Sequence, residues 1–401
     1  MLMLVSIAPP NAIGATPGTV PMIASAWTTK GNVAFQTDEG AMVLAQGSAE
    51  LKGTTFSSGT IEFDMKAPGG HVVGLTFHLQ GKTGDALYFR PALDCATSDD
   101  CVQYMRVDHG IFEWDLFGDN QARAPFHLNA WNHIKLSVNG RSMHVWVNGS
   151  PVSVPRSHLL VGAFDSGAIK LSGPASYAHL TIAPTIASVV PKQLPNATSD
   201  AHFLTRWRAT DAFVMPSVFD TTLGQNTGST PSIKSLPAAD AFNHVLYADR
   251  TGLVNVTAAL GDAQKGHAIM ATWLKTVVVS DRVQVKRVSI GWTREVWVFV
   301  NGVRVYADKN LYGVPAASKM PGGRLSLDNG AFNLPMKKGK NEIDVLLDDD
   351  FAGGLQHFGW GLMMRLHDLD GIQPCANHMA ADQPTGAAAA RVDGLDRCLP
   401  L

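Results

Sequence analysis

Apolar and polar residues alternate with a period of two in a series of short runs between residues 27 and 182. The clearest runs read GTIEFDMK, HVVGLTFHLQ, DALYFRP, IFEWDLF, HIKLSV, MHVWVNG and GAIKLSG. Because successive side chains of an extended strand point to opposite faces, this period predicts strands with one buried face. The pair Asn139-Gly140 lies between two of these runs and is typical of a tight hairpin turn. Seven or more such strands, separated by turn residues, predict a β-sandwich.

A second set of alternating runs lies between residues 202 and 372, where Asn301-Gly302 predicts another hairpin. Between the two sets, residues 184–201 contain three prolines and lose the alternation, which indicates a linker. We therefore predict an all-β chain with two β-sandwich domains in tandem, over residues 27–183 and 202–372. Residues 1–26 are expected to form a leader, and residues 373–401 a tail held by a disulfide.

The composition favours strands and turns and excludes some partners. The 401 residues include 38 glycines and 22 prolines, without long segments rich in Ala, Glu, Lys and Leu. A net charge of −2 gives no electrostatic reason to expect a nucleic acid or an anionic membrane as partner. We find no stretch with the roughly twenty apolar residues of a membrane span. The oligomeric state stays open.

The first residues and the cysteines bear on the compartment. A short apolar run followed by Ala12-Ile13-Gly14 is typical of the end of a secretory signal whose positively charged start is missing, and a disordered tail is the alternative. The four cysteines form two local pairs, Cys95 with Cys101 and Cys375 with Cys398. Their spacing favours two disulfides over free thiols or a zinc site. We expect a secreted or periplasmic protein.

Two acidic stretches have oxygen ligands that suit calcium, DDD at 348–350 and DLDG at 368–371. Neither fits the calcium-binding loop that ends in a bidentate glutamate, and Asp and Gly are also common turn residues. Turn chemistry is therefore the favoured interpretation. We assign no metal ligand and expect no cofactor, and a structural calcium ion stays unassigned.

Strand alternation also gathers polar side chains on one predicted face of the first sandwich. In HVVGLTFHLQ, DALYFRP and IFEWDLF the apolar residues share one parity, which leaves His78, Tyr88, Arg90, Glu113 and Asp115 on the other. The run CVQYMRV adds either Tyr104 with Arg106, or Gln103. We therefore predict a ligand-binding face that includes His78, Tyr88, Arg90, Gln103 and Tyr104.

Glu113 and Asp115 are the candidate catalytic pair. On a strand, two carboxylates two residues apart point the same way with Cα atoms about 6.5–7 Å apart. Retaining glycosidases need carboxyl groups about 5–5.5 Å apart and inverting ones about 6.5–9.5 Å, so the spacing permits catalysis without proving it. A solvated or Arg90-paired face is favoured over catalysis.

Four stretches of the first domain carry a family resemblance: Gly59-Thr60-Ile61-Glu62-Phe63, Leu87-Tyr88-Phe89-Arg90-Pro91, Gln103-Tyr104 and Trp131-Asn132-His133-Ile134-Lys135. With them, the domain resembles the concanavalin A-like, laminin G-type jelly rolls of bacterial secreted proteins. That scaffold serves glycosidases, polysaccharide lyases and lectin modules, so the resemblance implies a fold and leaves the function open. The E-x-D-x-x-E or E-x-D-x-E pattern of laminarinase-like hydrolases is missing, so no catalytic residue carries over.

In the second domain the informative residues are Thr276, Asn301-Gly302, Tyr306 and the run Lys338-Gly339-x-Asn341-Glu342. With them, the domain resembles the galactose-binding-like jelly roll that is appended to many glycan-active enzymes. In that fold such residues mostly shape hairpins and turns, so no ligand residue is assigned here.

The leading functional hypothesis is a secreted carbohydrate-binding protein that recognises an oligo- or polysaccharide on the polar face of the first sandwich. The first alternative is a glycan-cleaving enzyme that uses Glu113 and Asp115, which would need burial to raise one carboxyl pKa. The second alternative is an adhesion or structural module that binds protein partners.

Overall fold

The computed structural model describes residues 18–185, 198–215, 233–261, 269–349 and 358–373. Strands dominate these residues and pair antiparallel, which confirms the predicted all-β sandwich class. The chain divides into two compact units. Unit 1 comprises Met1–Tyr104 and Asn120–Lys192, and unit 2 comprises Met105–Asp119 and Gln193–Leu401.

Unit 1 is built on one long curled sheet. Its strands are β1 (Gly18–Thr19), β2 (Trp27–Gln36), β3 (Ala41–Leu51), β4 (Gly59–Lys66), β5 (Val73–Gln80), β6 (Thr83–Phe89), the first half of β7 (Val102–Asp108), β9 (Gln121–Ala122), β10 (Asn132–Asn139), β11 (Ser142–Val147), β12 (Ser150–Val152), β13 (Ala168–Ser172) and β14 (Ala175–Pro184). The order along the sheet is β12-β11-β10-β4-β14-β3-β13-β5-β6-β7, with β1 on β14, β2 on β3 and β9 on β7.

The alternation of β4 and β10 places the core of unit 1. Ile61 and Phe63 of β4 and Ile134 and Leu136 of β10 are fully buried, and the residues between them face outward. The hairpin predicted at Asn139-Gly140 is confirmed, because Asn139 pairs with Ser142 across it.

Unit 2 contains two sheets and a short helix. Its strands are β8 (Ile111–Phe112), β15 (Arg206–Ala209), β16 (Phe213–Val214), β17 (His244–Tyr247), β18 (Val254–Asn255), β19 (Met270–Ser280), β20 (Gln284–Trp292), β21 (Arg294–Val300), β22 (Val303–Asn310), β23 (Gly330–Met336), β24 (Gly339–Asp348), β25 (Gly361–Leu366) and β26 (Ile372–Gln373), and its α-helix is α1 (Val256–Leu260). One sheet has the order β17-β15-β19-β24-β21-β22, with β16 and β26 on β19, and the other has the order β18-β25-β20-β23.

Residues from both sheets form one apolar cluster in unit 2, including Trp207, Val298 and Ile290. The hairpin predicted at Asn301-Gly302 is confirmed by the pair Val300 and Val303. Single 3₁₀ turns lie at Ala24–Ala26, Thr37–Glu39, Trp114–Leu116, Gly118–Asn120, Ile233–Ser235, Ala239–Ala241 and Pro315–Ala317.

Several sequence predictions concern residues outside the described ranges. Most of the predicted leader and linker lie there, and so does nearly all of the predicted tail, with Cys375 and Cys398. Among the described residues, no helix has the length and apolar character to cross a membrane.

Removing the Phe63 ring tests the core of unit 1. Phe63 is fully buried and packs on Phe89 and Tyr177 at ring-centroid distances of 6.3 and 5.9 Å. We expect Phe63→Ala to lower the free energy of unfolding by about 3–5 kcal/mol. The measurement is hydrogen exchange of unit 1 amides in increasing urea. The control is Leu93→Ala, whose side chain is 90% exposed and which should change the free energy of unfolding by less than about 0.5 kcal/mol. Equal effects of the two substitutions would contradict the assignment of Phe63 to the core.

Candidate functional site

His78 lies at a β-bulge and points inward. Strand β5 pairs with β6 at Phe77 opposite Asp85, and the register shifts before Gln80 opposite Thr83. His78 has a φ of 50° and is fully buried. A bulge redirects the side chains beside it, so simple alternation fails here. The prediction that His78 faces outward is wrong for this reason.

Asp85 is the centre of a buried hydrogen-bonded cluster in unit 1. Its carboxylate accepts from His78 Nδ1 at 3.0 Å, from the Gly162 amide at 3.0 Å and from the Tyr104 hydroxyl. The other ring nitrogen of His78, Nε2, lies 2.9 Å from the Ser57 carbonyl oxygen. These contacts satisfy a buried carboxylate that would otherwise be costly. The cluster links β5, β6 and β7. His78 and Tyr104 serve in it as hydrogen-bond partners of the buried Asp85.

Tyr104 stays protonated within this cluster. Burial, together with the neighbouring Asp85 charge, raises the pKa of the Tyr104 hydroxyl well above its ordinary value. The hydroxyl therefore donates to Asp85 while it accepts from the Val161 amide at 2.5 Å. Sequence reasoning missed Asp85, although the acidic residue directly precedes the apolar run ALYF.

Tyr88, Arg90 and Gln103 are brought together around Asp100. Tyr88 Oη donates to Asp100 Oδ1 at 3.0 Å, and Arg90 pairs with the other carboxylate oxygen. The amide of Gln121 donates to Asp100 at 2.9 Å and to Gln103 Oε1 at 3.2 Å. Tyr88 and Gln103 are buried, whereas the side chains of Arg90 and Asp100 are 23% and 29% exposed. Only the Arg90–Asp100 pair of this cluster reaches solvent appreciably. The prediction that Tyr88, Gln103 and Tyr104 lie on an open face is wrong, because β6 and β7 are buried on both faces.

The predicted disulfide between Cys95 and Cys101 is confirmed. Both cysteines are 2% exposed, and the bond closes a loop whose last residue before Cys101 is Asp100. The loop thereby delivers the carboxylate that Tyr88 and Arg90 contact.

Glu113 and Asp115 lie in unit 2 and not on a strand. Strand β8 ends at Phe112, and Trp114–Leu116 forms a 3₁₀ turn. The backbone of Asp115 bonds to Phe358 O at 3.0 Å and to Leu325 N at 2.8 Å, in place of a neighbouring strand. The predicted strand geometry is therefore wrong, and these carboxylates do not share a sheet face with His78, Tyr88 and Arg90.

Glu113 is a fully buried carboxyl group beside a second one. Asn255 Nδ2 donates to Glu113 Oε2 at 2.8 Å. Burial raises the pKa of Glu113 well above its ordinary value, the charge of Asp108 raises it further, and Arg106 opposes the shift. Arg106 also bonds to Asp108 Oδ1 at 3.0 Å. The two neighbouring carboxyl groups are compatible with burial because Glu113 is protonated and Asp108 is paired with Arg106.

Asp115 forms a buried ion pair with Arg294, and each side chain is 1% exposed. Burial raises the pKa of Asp115, while Arg294 and Arg324 oppose the shift. The Arg324 guanidinium lies 5.0 Å from the centroid of the Trp114 ring. A catalytic carboxylate must contact substrate, and in the described part of unit 2 neither Glu113 nor Asp115 is open to solvent.

The open polar surface of unit 1 lies elsewhere, on the outward side of the sheet formed by β4, β10, β11 and β14. We call it the His133 face and define it by Glu62, Asp64, His133, Lys135, His144, Trp146 and His179. Cross-strand pairing aligns them: His133 lies opposite Asp64, and Lys135 lies between Glu62 and Trp146.

Charged groups on the His133 face pair with one another. Asp64 contacts His133 Nδ1 at 2.9 Å and His179 Nδ1 at 2.8 Å, and Lys135 Nζ lies 2.9 Å from Glu62 Oε1. The exposure of these five side chains ranges from 27% for Asp64 to 75% for His179. Among the described residues, no group of three or more His, Cys, Asp and Glu is placed to hold a metal ion.

An aromatic end completes the His133 face. The half-buried Trp146 lies 6.1 Å from exposed His144, which stacks on His158 at 4.5 Å. Lys135 Nζ is 6.0 Å from the centroid of the Trp146 ring. The alternation in GTIEFDMK and HIKLSV was a signal for this face, because it sets Glu62, Asp64 and Lys135 opposite the apolar residues.

No protein-family model matches this chain, and no curated protein matches it. Solved structures similar to part of it include a carbohydrate-binding module, CBM66, from Bacillus subtilis, with 18% identity over 39% of this chain and 91% of that one and a TM-score of 0.28. A Bacillus licheniformis β-glucanase has 12% identity over 42% of this chain and 98% of that one, with a TM-score of 0.31. A Bacillus subtilis protein with a galectin-like fold has 15% identity over 41% and 94%, with a TM-score of 0.30. Similarities this low do not identify a function for the chain.

Replacing Glu113 tests the buried carboxyl pair through the pH dependence of stability. Because the folded-state pKa is raised, folded protein binds more protons than unfolded protein once the pH exceeds the unfolded value of about 4.3. The Glu113 contribution therefore destabilises the fold progressively as pH rises from there to the folded pKa. Glu113→Gln mimics the protonated acid, so we expect a smaller loss of unfolding free energy between pH 4 and pH 8 than in wild type.

The measurement is urea unfolding of the full chain across that pH range. Asp119→Asn removes an exposed carboxylate from the same segment and serves as the matched control. A wild-type pH profile in Glu113→Gln would show that Glu113 ionises as freely in the folded as in the unfolded state.

Proposed function

We propose that this chain is a carbohydrate-binding protein whose ligand contacts the His133 face of unit 1. The observation that carries the proposal is an accessible indole, Trp146, beside a row of accessible charged side chains on regular strands. A sugar presents C–H groups on its faces and hydroxyl groups at its rim. An aromatic ring packs against the former, and charged side chains hydrogen-bond the latter.

The strands hold the His133 face in a fixed arrangement. Strands β11, β10, β4 and β14 are consecutive neighbours in the sheet, so the face is about 14 Å wide at about 4.8 Å between strands. Side chains on a paired ladder lose less freedom on binding than side chains on loops, which favours affinity. This width suits an oligosaccharide better than a single sugar.

The charge distribution favours a neutral glycan. Glu62 pairs with Lys135, and Asp64 lies 2.9 Å from His133 Nδ1 and 2.8 Å from His179 Nδ1, so both carboxylates already have side-chain partners. Both kinds of group hydrogen-bond hydroxyls, and neither sign dominates the surface. The partly exposed Arg90–Asp100 pair remains a candidate for additional contacts in the same unit.

A secreted or periplasmic location is part of the proposal. The Cys95–Cys101 disulfide supports it, since such bonds persist in oxidising compartments.

Glycan cleavage is the second candidate function, now at different residues from those first predicted. Glu62 and Asp64 are two apart on β4 and both are accessible on the His133 face, with Cα atoms about 6.5–7 Å apart. This open carboxylate pair meets the access requirement that Glu113 and Asp115 do not.

Trp146→Ala tests the binding proposal. The probes are a neutral β-glucan, xylan, mannan and galactan, assayed by affinity electrophoresis and then by calorimetry with oligosaccharides of the retained polymer. We expect wild type to bind one of them and Trp146→Ala to bind it at least about tenfold more weakly, equivalent to about 1.4 kcal/mol. Leu93→Ala, an exposed residue outside the His133 face, should bind normally.

Retention of none of the four polymers, or equal affinity in Trp146→Ala, would contradict binding at this face. The same mixtures are assayed for reducing ends. Their release by wild type and its loss in Glu62→Gln would replace the binding proposal with cleavage.

A further inference from the structure

A groove of about 550 Å³ lies in unit 2, between the segment around Ala239–Ala241 and strands β15 and β17. Its lining residues are Arg208, Ala239, Asp240, Phe242, Asn243 and Val245. This volume falls within the range of about 300–1,000 Å³ for small-molecule sites. None of these residues was singled out by the sequence patterns.

Strand alternation places Arg208 in this groove. Trp207 and Ala209 of β15 are fully buried, so Arg208 points to the other side of the sheet. Val245 of β17 and Lys275 of β19 lie opposite Arg208 on the two neighbouring strands. Two cationic residues are therefore adjacent on one face.

Only one of these two cations is neutralised within the described structure. Lys275 Nζ lies 3.4 Å from Glu342 and 3.3 Å from Asp344. Among the described residues, no carboxylate pairs with Arg208, and its Nε is buried without a hydrogen-bond partner. Because Arg208 lines the groove and no carboxylate among the described residues pairs with it, an anionic group in the groove would gain a charge-assisted contact with the guanidinium.

The other walls offer polar acceptors and an apolar surface. Asp240 is exposed and forms no ion pair among the described residues. Asn243 donates its Nδ2 to Asp211 at 3.3 Å, which leaves its Oδ1 as an acceptor. Val245 is 45% exposed, and Tyr247, two residues further along β17, is 50% exposed. Residues two apart on a strand share a face, so both border the same surface.

We propose that this groove binds an acidic saccharide that carries a carboxylate. The guanidinium of Arg208 pairs with the sugar carboxylate, Asp240 and Asn243 accept from hydroxyls, and Val245 and Tyr247 pack on the C–H face of the ring. The site goes beyond the neutral-glycan function proposed for the His133 face and involves a different unit.

The experiment compares a hexuronate oligosaccharide with the neutral oligosaccharide of the same linkage, by calorimetry on the full chain. We expect wild type to prefer the hexuronate, and Arg208→Gln to bind it about tenfold more weakly or worse, as for loss of a charge-assisted hydrogen bond. Arg208→Lys should recover part of that loss, because it keeps the charge and lacks the planar fork. Arg287→Gln makes the same charge change at an exposed position of the other sheet and should leave binding unchanged.

Equal binding of the neutral and acidic oligosaccharides, or unchanged hexuronate affinity in Arg208→Gln, would overturn the proposal. Tighter binding of a zwitterionic amino acid such as glycine than of the hexuronate would also overturn it. Arg208 would then pair with the carboxylate of the amino acid and Asp240 with its ammonium group. Trp146→Ala separates the two sites: it should retain hexuronate binding, whether or not the His133 face binds neutral glycans.

Discussion

The antiparallel ladder, which forces successive side chains to opposite faces of a sheet, is the constraint on which both units depend. Where it is regular, as in β4 and β10, Phe63 and Ile134 enter the core while Glu62 and Lys135 face solvent. Where it is interrupted, orientation changes: the bulge in β5 turns His78 inward, and a register shift in β14 accompanies the exposed His179. The position of interruptions therefore decides which polar residues are available for function.

The interiors of both units contain carboxylates whose burial is compensated locally. Asp85 accepts three hydrogen bonds in unit 1, and Asp115 pairs with Arg294 in unit 2. Glu113 follows another route, because its raised pKa favours the neutral form. Each arrangement avoids an isolated buried charge, whose desolvation would cost a large amount of free energy. Hydrogen bonds, an ion pair and protonation therefore account for these buried residues, and chemical reactivity is not needed to explain them.

Regular features of this chain were predictable from sequence and irregular ones were not. Alternating runs identified the strands of both units, the two Asn-Gly hairpins were found from their turn residues, and cysteine spacing indicated the Cys95–Cys101 bond. The candidate site failed where parity was extended across the bulge at His78 and beyond the end of β8 at Phe112. Glu113 and Asp115 take their conformation from partners more than a hundred residues away, such as Asn255, which local patterns do not encode.

The two proposed surfaces differ in how their charges are balanced before a ligand arrives. On the His133 face each carboxylate already has a side-chain partner, Lys135 for Glu62 and His133 for Asp64, so a covering ligand need not bring a counter-charge, and desolvation of these groups is the main cost. In the unit 2 groove no carboxylate among the described residues pairs with Arg208, so an anionic group there would gain a charge-assisted contact. The same β-sheet architecture can therefore support two sites with different preferences for ligand charge, a neutral ligand on the His133 face and an acidic one at Arg208, depending on whether the polar side chains already have partners.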